Sequence, residues 1–152
     1  MVLTFEKAVN ACPLLAGHCQ PGKSALSQSQ RNKIKKRPNT KITGSINVDE
    51  ILLPTHPNDP RWDYGIGFRT SKSSSDQVCW VEIHPATAEK EINKVIAKKN
   101  FHRAWLTKNA PELDSLKGEF VWIATGSVNI PHHRLHVLAQ AGIKKPEKIL
   151  EL

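Results

Sequence analysis

No apolar run in the chain approaches the roughly 20 residues that a membrane-spanning helix needs. The opening MVLTFEKAVNACPLLAGHC carries an early glutamate and no basic region ahead of its apolar residues, so a secretory leader is not expected. Cysteine is scarce. Cys12, Cys19 and Cys79 cannot all pair, and none stands in a CxxC or Cys–His spacing, which excludes a disulfide scaffold and a zinc ribbon. The expectation is reduced, buried thiols in a cytoplasmic protein. No glycine-rich phosphate loop of the Walker or dinucleotide type is present, and no GxSxG or Cys–His nucleophile arrangement. Acids are absent from a whole segment: between Lys7 and Val48 there is no Asp or Glu, while Lys23, Arg31, Lys33, Lys35, Lys36, Arg37 and Lys41 all carry positive charge. The net charge is +8, so the rest of the molecule is close to neutral. One basic segment on a balanced body points to a polyanion, nucleic acid first, with Arg31, Lys33, Lys35, Lys36 and Arg37 as the phosphate contacts. The bland alternative is a solvated loop.

What is present is enough for one core. A length of 152 residues, 39% of them apolar and four of them tryptophan, fits one domain over residues 1–152. Residues 2–16 predict a helix, shortened at Pro13. Residues 18–41, rich in Gln, Ser, Lys and Arg, predict a long, mobile basic loop. Alternation predicts a first strand over 41–53, and the prolines of PTHPNDP force an extended turn. Tyr64–Phe68 and Val78–His84 follow as strands joined by small polar residues, the second stopped by Pro85. From Thr87 onward, Ile92, Val95, Ile96, Phe101, Trp105 and Leu106 recur at helical steps, with a break near Asn100. EFVWIATG predicts a central strand, HHRLHVLAQAG a short helix ending at Gly142, and KKPEKILEL an edge strand. A helical crossover joins parallel strands, so the fold class is α/β with a mixed central sheet flanked by helices.

The chemistry gathers in RWDYGIGFRTSKSSSDQVCWVEIHP, residues 61–85, where two strands each carry a carboxylate. An unpaired buried carboxylate costs several kcal/mol or is forced to neutralise. Alternation places Glu82 and His84 on one strand face and Val81 and Ile83 on the other. Asp63 opens the preceding strand, and Gly65 and Gly67 on its face predict open space where a ligand could approach. In an antiparallel pair Asp63 and Glu82 come to similar depth on adjacent strands. Two such carboxylates repel unless a cation sits between them, and a hard divalent ion suits that donor set. His84, one step along, could orient or deprotonate a water. The competing structural reading pairs Asp63 with Arg61 or Arg69 and Glu82 with a helix lysine. Among lesser candidates, Ser45 could bind a phosphate and Asp49 could join the acidic cluster, although a strand end entering a turn is preferred there. His132 and His136 lie one helical turn apart without a third ligand, which favours a solvent-facing basic helix. The four tryptophans are expected in the core rather than as base-stacking platforms.

Helix, three strands bearing Asp63 in DPRWDYGI and Glu82 in VEIHP, then helix and strand, resembles the core of the PD-(D/E)XK nuclease superfamily over roughly residues 1–126. The resemblance implies a restriction-endonuclease-like αβββαβ core and metal-dependent cleavage of nucleic acid phosphodiesters. It implies Mg²⁺ or Mn²⁺ held by Asp63 and Glu82, with Glu6 of the first helix as an additional acid; Asp49 is a further candidate acid by its place on the first strand, not by the resemblance. The family lysine two residues after the glutamate is His84 here. Some members carry that lysine on the following helix, where Lys90, Lys94 and Lys98 lie at four-residue spacing; Lys94 and Lys98 are the candidates, with His84 assisting the water. Other members have lost catalysis and only bind. A catalytically inactive nucleic-acid-binding module and a protein-interaction module therefore stand as rivals to the nuclease.

Overall fold

The computed structural model describes residues 2–152. Helix α1 (Phe5–Asn10) starts at Thr4, whose hydroxyl accepts from the Lys7 amide, and gives way to turns before Pro13, so it is shorter than predicted. Residues 18–41 are not a mere loop. They hold α2 (Gln28–Arg31) and β1 (Ile34–Lys35), and β1 pairs in parallel with β6 (Leu150–Glu151) near the C-terminus.

Strand β2 (Thr40–Asn47) ends earlier than predicted, because Asn47 caps a helix. Its side chain accepts from the Glu50 amide and donates to the Glu50 carboxylate, which starts α3 (Val48–Leu52). Strands β3 (Tyr64–Thr70) and β4 (Gln77–Ala86) form an antiparallel pair. Helix α4 (Lys90–Asn109) runs unbroken through Asn100, a proline at N1 starts α5 (Pro111–Asp114), and β5 (Gly118–Val128) lies parallel to β4. A 3-10 turn (His132–Arg134) leads into α6 (Leu135–Gln140), and Gly142 at φ +78° follows as the left-handed residue that ends it. The four-stranded mixed sheet has the order β2–β3–β4–β5.

Alternation sorts the sheet into two cores. Ile46, Trp80, Phe120 and Trp122 face α1 and α4, where Phe5, Val9, Ile92, Val95 and Trp105 cover them. Ile66, Cys79, Val81, Val121 and Ile123 face the other way and are covered by Leu26, Ile34 and Leu152. The basic segment is thus a layer of the molecule, its apolar residues seated on the sheet and Lys35, Lys36, Arg37 and Lys41 exposed. All four tryptophans are buried as expected, and the three cysteines are free thiols, two of them buried.

The glycines of β3 require a correction. A Cβ on Gly65 would stand 2.5 Å from the Trp80 ring, and one on Gly67 only 2.3 Å from Phe5. The space predicted for a ligand is filled by two aromatic rings, so these glycines serve packing. Pro85 does not stop β4 either. The ladder with β3 reaches only Val81, so the missing N–H at Pro85 faces no neighbouring strand, while β5 still pairs on the other side. None of the helices of the described residues is long and apolar enough to cross a membrane.

Candidate active site

The early end of β3 creates the site. Beyond Val81, β4 has no strand partner on that side, and an unpaired backbone donor there would be costly. The Asp63 carboxylate accepts from the Ile83 amide at 2.9 Å, and the Asp63 amide donates to the Glu82 carboxylate at 3.2 Å. The Asp63 carbonyl in turn accepts from the Val48 amide at 2.8 Å, at the start of α3. Asp63 is therefore fixed on three sides.

Glu82 shares its face with Trp80 and points at α4, fully buried. Lys98 reaches it from α4: its ammonium donates to one Glu82 oxygen and lies 3.8 Å from Asp63. The helix face that brings it there carries Glu91, Val95, Lys98, His102 and Trp105 at steps of three and four, polar groups inside an otherwise apolar stripe.

Two carboxylates against one ammonium leave a negative excess. Burial pushes the Glu82 carboxyl up to about 8, the neighbouring Asp63 adds to the rise, and Lys98 opposes it without cancelling it. Burial likewise raises Asp63 against the pull of Lys98. Burial alone would lower Lys98, but Glu82 and Asp63 outweigh it and hold the ammonium charged.

His84 lies beside this trio. One ring nitrogen is 3.6 Å from Glu82 and the other is hydrogen-bonded to Glu91 in the first turn of α4, while the His84 carbonyl accepts from the Trp122 indole at 2.9 Å. The hydrogen bond from His84 lowers the Glu91 carboxyl, so Glu91 is an anion. Both nitrogens of His84 thus face carboxylates, which suits holding Glu82 in place more than freely attacking a water proton.

The remaining predicted residues fall elsewhere. Lys94 is exposed and lies 3.7 Å from Glu91, so of the helix lysines Lys98 is the one that meets the pair. Asp49 is on α3, not on a strand, and pairs with Arg61 at 2.9 Å; its charge still reaches Asp63 and raises it. Ser45 is buried and accepts from the Ala25 amide at 3.0 Å, so it is structural. Glu6 is exposed on α1, where its charge acts on Cys19. The Arg31 guanidinium is engaged by the carbonyls of Leu26 and Ser24, and Lys33, Lys35, Lys36 and Arg37 lie on the layer opposite Glu82. His132 sits in the 3-10 turn and His136 in α6. Glu91 was not foreseen; its signal is an acid one step ahead of Ile92 on the inward stripe.

Among the described residues no group of three or more His, Cys, Asp or Glu side chains is arranged to hold a metal ion, which argues against a closed zinc-type site. Mg²⁺ and Mn²⁺ need fewer protein ligands, taking one or two carboxylates and keeping several waters, and Asp63 and Glu82 are the acids that would supply them. The fold and site define an α/β protein with a carboxylate pair bridged by a helix lysine. Comparisons with protein-family models, with curated proteins and with solved structures find no match to the chain.

Proposed function

We propose that the protein is a metal-dependent nuclease of the PD-(D/E)XK type, with a restriction-endonuclease-like core, hydrolysing nucleic acid phosphodiesters in the cytoplasm. The observation that carries this reading is the Lys98 ammonium, delivered from α4 to the Asp63–Glu82 pair where the motif lysine is replaced by His84. Around the four-stranded sheet α1 precedes β2, β3 and β4, and α4 precedes β5; this order supports it once α2, β1, α3 and α5 are set aside as additions. So do the free thiols, which suit a reducing compartment.

Asp63 and Glu82 would hold Mg²⁺ or Mn²⁺, an ion that supplies an activated water and steadies phosphate oxygen when bound. Lys98 places positive charge where charge develops on the phosphate. His84 and Glu91 keep the Glu82 carboxylate oriented, and the Asp63–Ile83 hydrogen bond fixes the other acid. A second reading has one observation in its favour: each carboxylate already satisfies a backbone or lysine donor, as a purely structural clamp in a binding module would.

Cleavage decides between them. Plasmid DNA, single-stranded DNA and RNA are incubated with the protein in millimolar Mg²⁺ or Mn²⁺ and in EDTA, with Asp63→Asn and Lys98→Met beside the parent. Metal-dependent cleavage that falls about 100-fold or more in both variants supports the proposal. No cleavage of any substrate by the parent, or full activity in Asp63→Asn, refutes it.

A further inference from the structure

The basic segment does not border the carboxylates. Its outward side forms a cleft of about 450 Å³ lined by Gly22, Ile34, Lys35, Lys36, Thr40 and Lys41, among others, with no acid in its wall. Lys35, Lys36 and Lys41 are exposed, and among the described residues none of them has a carboxylate within 4.0 Å. Lys23 reinforces the charge from beneath. Its ammonium donates to the carbonyls of Arg31 and Ile34 at 3.1 and 3.0 Å, so it is fixed in place. Thr40, buried at the cleft, opens β2 and pairs with Thr70 at the far end of β3, whereas Asn47 pairs with Tyr64 beside Asp63.

Six residue steps of β3, from Tyr64 to Thr70, separate these ends, about 20 Å along the sheet, the bulge in β2 taking up its extra residue. The two places also lie on opposite faces, because Ile34 belongs to the core on the Val81 side of the sheet while Glu82 points to α4. A phosphate held at the Asp63–Glu82 pair is thus separated from Lys41 by the length of β2 and the thickness of the sheet.

From this we infer that the Lys35–Lys36–Lys41 cleft is a second, remote phosphate-binding surface for nucleic acid. It gives the protein a bipartite grip, so that a substrate engages both places only when long enough to pass the β2 edge. Nucleic acid, rather than another polyanion, rests on the proposed activity. At about 3.4 Å per base pair, the span along the sheet alone corresponds to about six base pairs.

Binding is measured without cleavage. Fluorescence anisotropy in EDTA follows labelled duplexes of about 5 and about 20 base pairs, lengths that fall short of and exceed the span. The parent is compared with Lys35→Glu/Lys36→Glu/Lys41→Glu, a triple change confined to exposed side chains. The parent binds the long duplex far more tightly than the short one. The triple variant loses that gain, at least about tenfold, and its slope of log affinity against log salt falls by about 3. Equal affinity and slope in the two proteins, or no binding by the parent, overturns the inference. Polyglutamate binding as tight as the long duplex, and lost in the triple variant, overturns the assignment to nucleic acid in favour of an acidic protein. Since nothing is cut in EDTA, failed cleavage and failed binding remain separate results.

Discussion

Glu82→Gln is expected to make the protein more stable at neutral pH, and the gain is expected to grow with pH. In the folded state burial and Asp63 push the Glu82 carboxyl from 4.5 up to about 8. A raised acid binds its proton more tightly folded than unfolded, so its contribution is fully present below pH 4.5 and is lost as pH rises through 8. At about 1.4 kcal/mol per pH unit, the loss is about 3 kcal/mol between pH 4.5 and 7 and about 5 kcal/mol by pH 8. Glutamine keeps an oxygen for the Asp63 amide or Lys98 and carries no charge to desolvate. The pH-independent cost of the lost acceptor offsets the two curves without changing their divergence. Urea denaturation of both proteins at pH 4.5, 6, 7 and 8 gives the difference directly. Millimolar Mg²⁺ should flatten the parent's curve and leave that of the variant alone, since an ion between the acids stabilises the charged form. A stability difference that stays constant from pH 4.5 to 8 would refute the claim that the pair is short of positive charge.

Three further expectations follow from the packing. His102 is fully buried among Trp80, Trp105 and Phe120 with no hydrogen-bond partner for either ring nitrogen, and burial lowers it to about 3. A lowered base contributes stability above pH 6.5 that is lost as pH falls toward 3, by up to about 5 kcal/mol, and His102→Leu should remove that acid sensitivity in urea titrations; an unchanged acid limb counts against it. Gly67→Ala drives a methyl into Phe5 and should cost about 1–3 kcal/mol with a lowered melting temperature, so a neutral result would mean that α1 slides freely on the sheet. Asp76 is buried, accepts from the Phe5 amide at 2.8 Å and binds Arg69 at 2.7 Å, so Asp76→Ala should cost about 3 kcal/mol in denaturation, and a change under 1 kcal/mol would contradict its role as the anchor of α1.

The element order was legible in the sequence wherever period and punctuation agreed. The inward stripe of α4 and the apolar run of β5 are of this kind, and so is the halt at Gly142. The carboxylates were legible because a charge inside an apolar strand is an anomaly in a two-residue period. The glycines of β3 misled, since a missing side chain looks the same whether a ligand or a neighbouring ring takes its place. The first strand, read over 41–53, misled because Asn47 caps a helix, a local hydrogen bond that overrides the alternation of β2. The basic segment read as a loop because its few apolar anchors, Leu26 and Ile34, are too sparse to show a period. Their partners in the sheet are distant in sequence. Lys98 was among the helix candidates, but choosing it over Lys94 needed the rotation of α4 against β4, which packing alone fixes.

Asp63 and Glu82 are proposed to share a divalent cation. Mn²⁺ titrated into isotope-labelled protein, read by paramagnetic broadening of amide signals, tests it without any guess about substrate. Broadening centred on residues 63 and 82–84 is expected, lost in Asp63→Asn and Glu82→Gln and kept in the triple lysine variant. Amide signals that stay sharp at millimolar Mn²⁺, or broaden equally in both acid variants, would contradict it.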